Sequence, residues 1–289
     1  MLKEFKEPTE LINSTSFKML SVKTQQSYIH HYNRLMNFTN NKSILDFKDD
    51  LHELINILKE QDVPPSSKNS MLNVISLLFN TKRFPIQSLT DYRDQLDKEH
   101  YIKKKETNLL LKEVLPSINE LNNYTNELYS NQQYREYIIN FLMINYGVRN
   151  MDVDLIITDN KKDINDIDNF LLITKKYISF IVNRYKTRDT YGNKKMKIEV
   201  KPFISAVKHL YDECEDDVCY LLINPDTKQL VKDKNKFILN RTHKKLGEGL
   251  YFKIVVSNYI SQGKISSAKL LGKTRGTDIN TIIEDYYIE

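Results

Sequence analysis

The sequence of 289 residues contains no tryptophan and only two cysteines, and glycine and proline each occur seven times. Glycine and proline usually make up about 7% and 5% of a protein, so their scarcity excludes collagen-like and low-complexity chains and favours long helices. Cys214 and Cys219 have no matching cysteine or histidine pair. The sequence therefore supports neither a disulfide framework nor a zinc site.

Long apolar runs are also missing. The richest stretch covers residues 137–148 and is interrupted by Asn140 and Asn145, whereas a membrane-spanning helix needs about 20 mostly apolar residues. The first ten residues are charged, unlike a secretory signal. We therefore expect a soluble, intracellular protein.

Positive charge is concentrated in two segments of the second half. The formal net charge is +5, but residues 175–201 contain nine Lys or Arg against two acidic residues, and residues 228–275 contain twelve against two. Together these segments carry +17, so the rest of the chain carries −12. A field of one sign attracts a polyanion, and this segregation favours a phosphate-rich partner.

Helical periodicity dominates the first hundred residues. Apolar positions recur on one face of three segments, and each segment predicts a helix. The predicted helices cover residues 21–38, 45–59 and 67–79.

A charged stretch over residues 97–112, followed by Pro116, interrupts this pattern. We predict three parts of the chain: a helical domain over residues 1–105, a linker over 106–117, and a second domain over 118–289.

The second domain combines helical and strand periodicity. Three segments rich in β-branched and aromatic residues predict strands, and a polar turn joins the last two. The predicted strands are residues 170–174, 177–182 and 195–200. The predicted helices are residues 117–130, 134–146, 203–213, 233–245, 251–262, 266–271 and 277–287. The expected fold class is α+β, mostly helical, with a small antiparallel sheet.

A sharp turn is predicted where the helix over residues 134–146 meets Gly147. Glycine can end a helix with a positive φ, which leaves Arg149 free to offer two N–H groups to a phosphate. The alternative is an ordinary helix end at which Arg149 pairs with Asp152 and binds no ligand.

The order of these parts resembles the tyrosine recombinase family of phage integrase, Xer and Cre-like enzymes, which cut and rejoin DNA through a tyrosine. The resemblance covers most of the chain. The pattern Ser21-x-x-Thr24-x-x-x-Tyr28 and the helix over residues 67–79 are similar to the family's helical, SAM-like core-binding domain. Residues 141–152 (FLMINYGVRNMD) are similar to the helix, Gly-x-Arg and acid of its catalytic domain.

The resemblance implies a set of catalytic residues. Arg149 is then the first catalytic arginine, and Lys186 is the general acid of the β-hairpin, with Lys194 and Lys195 as alternatives. Tyr286 is the nucleophile that forms a 3′-phosphotyrosyl intermediate, and Tyr287 is its alternative.

Three positions depart from the family pattern. The family's His-x-x-Arg box falls on residues 250–253, where Leu250 replaces the histidine and Lys253 replaces the second arginine. Lys273 stands where the family has the histidine of Leu-Gly-His. Lysine lacks the planar guanidinium fork of arginine. Loss of one well-aimed donor typically lowers a rate by about 10²–10³. Loss of a general acid–base group typically lowers it by about 10²–10⁴.

The resemblance therefore implies a site-specific recombinase or integrase with a weakened active site, and a reaction that uses no metal and no cofactor. One alternative is a non-catalytic DNA-binding or architectural protein descended from such an enzyme, and a second is a type IB topoisomerase. The resemblance implies that the two domains form a C-shaped clamp around duplex DNA and allows a homo-oligomer on DNA. The richness in Asn, Lys and Ile suggests a virus or mobile element as the source. The side chains predicted to contact DNA are Lys194, Lys195, Arg241, Lys244, Lys245 and Arg275.

Overall fold

The computed structural model describes residues 8–80 and 86–288, and the chain divides into two units between Asn108 and Leu109. This division falls inside the predicted linker. Most of that linker is helical, because a helix over Gln87–Val114 continues across the division.

Helices build the first unit. They are α1 (Thr9–Ile12), α2 (Thr15–Lys18), α3 (Val22–Phe38), α4 (Leu51–Glu60), α5 (Pro65–Leu78) and α6 (Gln87–Val114). The predicted helix over residues 45–59 is divided into a 3₁₀ turn (Ile44–Phe47) and α4, because Asp50 accepts the Glu53 N–H at 3.0 Å and begins a new helix. The core of this unit contains Tyr32, Leu35, Leu54 and Leu72.

The second unit contains eight helices among its described residues. They are α7 (Ile118–Ser130), α8 (Tyr134–Tyr146), α9 (Arg188–Tyr191), α10 (Lys201–Asp212), α11 (Lys234–Leu239), α12 (Glu248–Ser261), α13 (Ile265–Arg275) and α14 (Ile279–Thr281). A π-helical turn (Ile282–Tyr286) follows α14 directly, so the helix predicted over residues 277–287 begins later and widens at its end.

The predicted strands are present, and two further strands join them. The strands are β1 (Leu155–Thr158), β2 (Asn169–Ile173), β3 (Ile178–Val182), β4 (Lys194–Ile198) and β5 (Cys219–Tyr220). Their order is β4-β3-β2-β1-β5, with β1 and β2 parallel and all other pairs antiparallel. The mostly helical α+β class is confirmed, and the sheet is mixed rather than antiparallel because β1 lies parallel to β2.

The two faces of the sheet have different neighbours. Leu171 and Phe180 are paired across β2 and β3 and lie in the main core with α8 and α10. Phe170 and Ile181 lie on the opposite face in a smaller apolar cluster. Because side chains alternate along a strand, Lys194 and Lys195 of β4 point to opposite faces.

The helix predicted over residues 233–245 ends early. After α11, a 3₁₀ turn (His243–Lys245) contains Lys244 and Lys245 with φ of 50° and 54°. The Thr242 hydroxyl contacts the Leu239 and Leu246 carbonyl oxygens at 2.8 and 2.7 Å. These hydrogen bonds stabilise a turn, so the helix does not continue to residue 245.

Within the part of the chain that the structure describes, no helix is both long and apolar enough to cross a membrane.

Candidate functional site

Helix α8 ends at Gly147, where φ is +59° and the N–H bonds the Met143 carbonyl oxygen at 3.2 Å. A Cβ atom at this position would lie 2.9 Å from the Phe252 ring and 3.1 Å from Leu271 Cγ. The predicted positive φ is confirmed, and glycine is required twice, for its backbone conformation and for the close approach of α12 and α13.

The turn after Gly147 directs the Arg149 guanidinium toward the end of α13. Its Nη1 donates to the Arg275 carbonyl oxygen at 2.6 Å, and its Nη2 donates to Thr277 Oγ1 at 3.4 Å. The backbone N–H of Arg149, rather than its side chain, donates to Asp152 Oδ2 at 2.9 Å. The acid of the Gly-x-Arg motif therefore fixes the turn and leaves the guanidinium available to the site.

Burial affects the pKa of both groups. Burial, followed by the nearby Arg275 charge, lowers the pKa of Arg149. Asp152 is 3% exposed, and burial raises its pKa although the Arg149 N–H favours the carboxylate.

Arg275, predicted to contact DNA, lies inside the protein. Its side chain is 2% exposed, and its Nη1 donates to the carbonyl oxygens of Gly147 and Val148 at 2.9 and 3.3 Å. Its Nη2 donates to Glu248 Oε1 at 3.2 Å. Arg275 thus holds the backbone that carries Arg149, and both of its Nη atoms donate to protein atoms.

Glu248 is a member of this site that the sequence did not reveal. Its carboxylate accepts hydrogen bonds from the Asn150 N–H and from Arg275, so it joins the start of α12 to the turn after α8. Its sequence signal is weak, since it is an acid between Gly247 and Gly249 just before the box at residues 250–253.

Lys194, rather than Lys186, extends toward the Arg149 turn. Its Nζ donates to the Thr274 carbonyl oxygen at 2.8 Å and lies 3.6 Å from the centre of the Tyr185 ring. Burial is the main cause that lowers the pKa of Lys194 to about 8; Arg149 also lowers it, and Asp152 opposes both. Lys186 is exposed between β3 and α9, and Lys195 is exposed on the other face of the sheet.

Three consecutive carbonyl groups at the end of α13 accept hydrogen bonds from this site. Lys194 binds the Thr274 oxygen, Arg149 binds the Arg275 oxygen, and Thr187 Oγ1 donates to the Gly276 oxygen at 3.2 Å. We refer to these three oxygens as the α13 carbonyls. The last carbonyls of a helix carry partial negative charge. Two cationic side chains therefore point at the negative end of a helix.

Tyr286 lies beside the same turn. Its half-buried ring stands perpendicular to Phe252 at 4.8 Å between centres, and the Arg275 guanidinium carbon is 5.6 Å from its centre. Ser257 on α12 holds the surrounding backbone, since its hydroxyl donates to the Tyr286 backbone carbonyl oxygen at 3.5 Å and accepts the Ile288 N–H at 2.9 Å. The structure thus places Tyr286 next to Arg275.

The remaining predicted catalytic residues are distributed along α12 and α13. Lys253 is half-buried and follows Phe252, which contacts both Gly147 and Tyr286. Leu250 is half-buried one turn earlier, and Lys273 is exposed on α13. Helix α12, which carries the box residues 250–253, therefore contacts the site through Phe252.

The other predicted DNA contacts lie near the turn after α11. Arg241 pairs with Glu136 at 2.9 Å and covers the Phe237 ring at 3.3 Å, so its guanidinium is already engaged. Lys244 and Lys245 are exposed, and Lys244 lies 3.6 Å from a Glu120 oxygen.

Among residues 8–80 and 86–288, no three His, Cys, Asp or Glu side chains form a group that could hold a metal ion.

No model of a known protein family matches the sequence, and a search of curated proteins gives no significant match. Among solved structures, the chain is similar to the crystal structure of XerA recombinase, with 13% identity and a TM-score of 0.39 over 97% of this chain and 93% of that chain. Similarity at this level does not assign a function.

Proposed function

We propose that the second unit binds the phosphate backbone of duplex DNA at the end of α8 and acts as a tyrosine recombinase or integrase. The observation that supports this proposal is the convergence of groups from distant parts of the chain. Arg149 and Lys194 both reach the end of α13, and Tyr286 lies against the Arg275 side chain that supports the same turn.

Each group has a role in phosphoryl transfer. Arg149 donates to the non-bridging oxygens of the scissile phosphate and stabilises the negative charge that develops there. The Tyr286 hydroxyl gives its proton to solvent water and attacks phosphorus, which forms a tyrosyl phosphodiester as the bond to the 5′ oxygen breaks. Lys194 gives its proton to that oxygen, and a pKa of about 8 suits a general acid near neutral pH.

The reverse reaction completes strand transfer. A 5′ hydroxyl attacks the tyrosyl phosphodiester, returns a proton to Lys194, and releases Tyr286, whose phenolate takes a proton back from solvent water. The number of phosphodiester bonds is conserved, so no nucleotide is hydrolysed.

A second candidate function is DNA binding without catalysis. Leu250 at the position of the family's histidine favours this alternative. The hydrogen bonds of Arg275 to Gly147, Val148 and Glu248 favour it as well, because they leave Arg149 and the lysines to hold the phosphate.

Trapping the covalent intermediate on a nicked suicide duplex tests the proposal. We expect an adduct with the native protein, no adduct with Tyr286→Phe, and an adduct with the control Tyr287→Phe. Binding of the same duplex should remain nearly unchanged in both variants, because each change removes one oxygen.

A restored site provides the reciprocal test. The double substitution Leu250→His and Lys253→Arg should increase adduct formation by about 10²-fold or more. If neither the native nor the restored protein forms an adduct on DNA that it binds, the second candidate is correct. Relaxation of a supercoiled plasmid without strand exchange would instead identify a type IB topoisomerase.

A further inference from the structure

A cleft at the turn between β2 and β3 is lined by four lysines, Lys161, Lys175, Lys195 and Lys208. Its volume is 610 Å³, and Asp159 is its one acidic lining residue. We name it the lysine cleft. It is distinct from the site at Arg149, because Lys195 lines the cleft from the face of β4 opposite to that of Lys194.

The backbone beneath these lysines is fixed by local structure. Thr174 Oγ1 donates to the Tyr177 backbone carbonyl oxygen at 2.6 Å and accepts the Tyr177 N–H at 3.1 Å. These two bonds close the turn that carries Lys175. The Asn160 side chain accepts the Lys162 N–H at 3.0 Å and begins the 3₁₀ turn that carries Lys161. Lys195 and Lys208 lie on β4 and α10. The four lysines of the cleft therefore lie on ordered elements, and their ammonium groups surround one cavity.

The four lysines outnumber the single acidic lining residue, which leaves the cleft with a formal charge of +3. Among the ion pairs of the described residues, none involves Lys161, Lys175, Lys195 or Lys208. The Asp159 carboxylate already accepts the Tyr211 hydroxyl at 2.9 Å. Ammonium groups that share a cleft repel one another, and a ligand with several negative charges converts this repulsion into attraction.

The lining suits closely spaced phosphate groups. A volume of 610 Å³ lies within the range of about 300–1,000 Å³ that holds small ligands. Lysine binds phosphate as a point charge, and the Tyr177 ring and the Ser179 side chain add an apolar wall and a hydroxyl. We propose that the lysine cleft binds adjacent phosphates, supplied either by a second nucleic-acid segment or by a free polyphosphate such as a nucleoside triphosphate. This inference stands independently of the function proposed for the Arg149 site.

The test compares two triple variants of the full chain. Lys161→Gln, Lys175→Gln and Lys208→Gln remove three charges from the cleft, while Lys228→Gln, Lys232→Gln and Lys264→Gln remove three exposed charges elsewhere. Titration calorimetry with inorganic tripolyphosphate and with ATP measures the affinity for a free polyphosphate. Retrieval of a fluorescent duplex by protein that is held on a biotinylated duplex measures the binding of a second nucleic-acid segment.

We expect the cleft variant to lose about 30-fold or more in affinity for the ligand that occupies the cleft, and the control variant to lose less than threefold. Loss of duplex retrieval assigns a second nucleic-acid segment, and loss of tripolyphosphate or ATP binding assigns a free polyphosphate. Equal behaviour of the two variants in every assay overturns the proposal. An Arg149→Gln variant disables the site at α8 and is read by calorimetry, because the retrieval assay needs that site to hold the first duplex. It should retain the calorimetric result for the cleft, which separates the two proposals.

Discussion

Lys194 shows that a shift of one residue in strand register changes which lysine lies in the site. The sequence predicts a strand from residue 195 and a general acid at Lys186, but β4 begins at Lys194, which points toward the end of α13. A shift of one residue exchanges the two faces of a strand, so Lys194 and Lys195 exchange roles with the register. Periodicity in the sequence does not determine register at this precision.

The proposed role of Lys194 in phosphate binding implies that affinity for DNA depends on pH. A value of about 8 means that the ammonium group is charged at pH 7 and mostly neutral at pH 9. Since the charged form holds the phosphate, we expect affinity for duplex DNA to fall by up to about tenfold between pH 7 and pH 9 at constant salt. Fluorescence anisotropy measures this change.

Lys194→Arg is the matched control for this prediction. Its guanidinium stays charged across the range, so the decrease should disappear. A decrease of equal size in Lys194→Arg would show that another group titrates.

Gly147→Ala tests the turn that presents Arg149. The substitution combines a left-handed backbone with a Cβ atom 2.9 Å from the Phe252 ring, and it should lower the free energy of unfolding by about 2–4 kcal/mol. Gly263→Ala has a similar φ of +70° but meets no atom within 4 Å, so about 1–2 kcal/mol is expected. Urea denaturation measures both, and equal losses would show that contact with Phe252 is unimportant.

At the scale of elements, local periodicity predicted most helices and missed features that depend on distant partners. Strands β1 and β5 have four and two residues, and they are defined by pairing with β2 and with each other. The burial of Arg275 depends on carbonyl oxygens 127 and 128 residues away. The Gly147 turn was predictable because a glycine after an apolar helix is a local signal.

A buried amide joins three elements of the second unit. Asn140 on α8 donates to the Arg241 carbonyl oxygen at 2.8 Å, and its Oδ1 accepts the Tyr251 hydroxyl of α12. The same hydroxyl accepts the His243 N–H at 2.8 Å. Asn140 therefore helps to end the predicted helix over residues 233–245.

Asn140→Ala should lower the free energy of unfolding by about 2–4 kcal/mol, because it leaves buried polar groups without partners. The exposed Asn145, on the same helix, bonds only the Phe141 carbonyl oxygen at 2.9 Å among the described residues. Asn145→Ala should therefore change stability by less than about 0.5 kcal/mol. Denaturant melts of both variants, read by circular dichroism, decide whether the buried amide stabilises the unit.

At the scale of the whole molecule, the division between Asn108 and Leu109 predicts where a protease separates the units. Leu109, Leu110 and Val114 are each at least 63% exposed near the end of α6. Limited proteolysis should therefore release a C-terminal fragment that begins between residues 109 and 118, identified by mass spectrometry. Earlier cleavage within residues 203–271 would contradict this division.

If DNA binds as proposed, the α13 carbonyls determine the heat that accompanies binding. A phosphate that reaches Arg149 and Lys194 meets donors already bonded to the Arg275 and Thr274 oxygens, so one set of acceptors replaces another. An exchange of this kind releases little net enthalpy, whereas the counterions displaced from DNA gain entropy. Association at this site should accordingly be nearly athermal and driven by salt release. The freed end of α13 should then exchange its amide hydrogens with solvent faster than in the unbound protein.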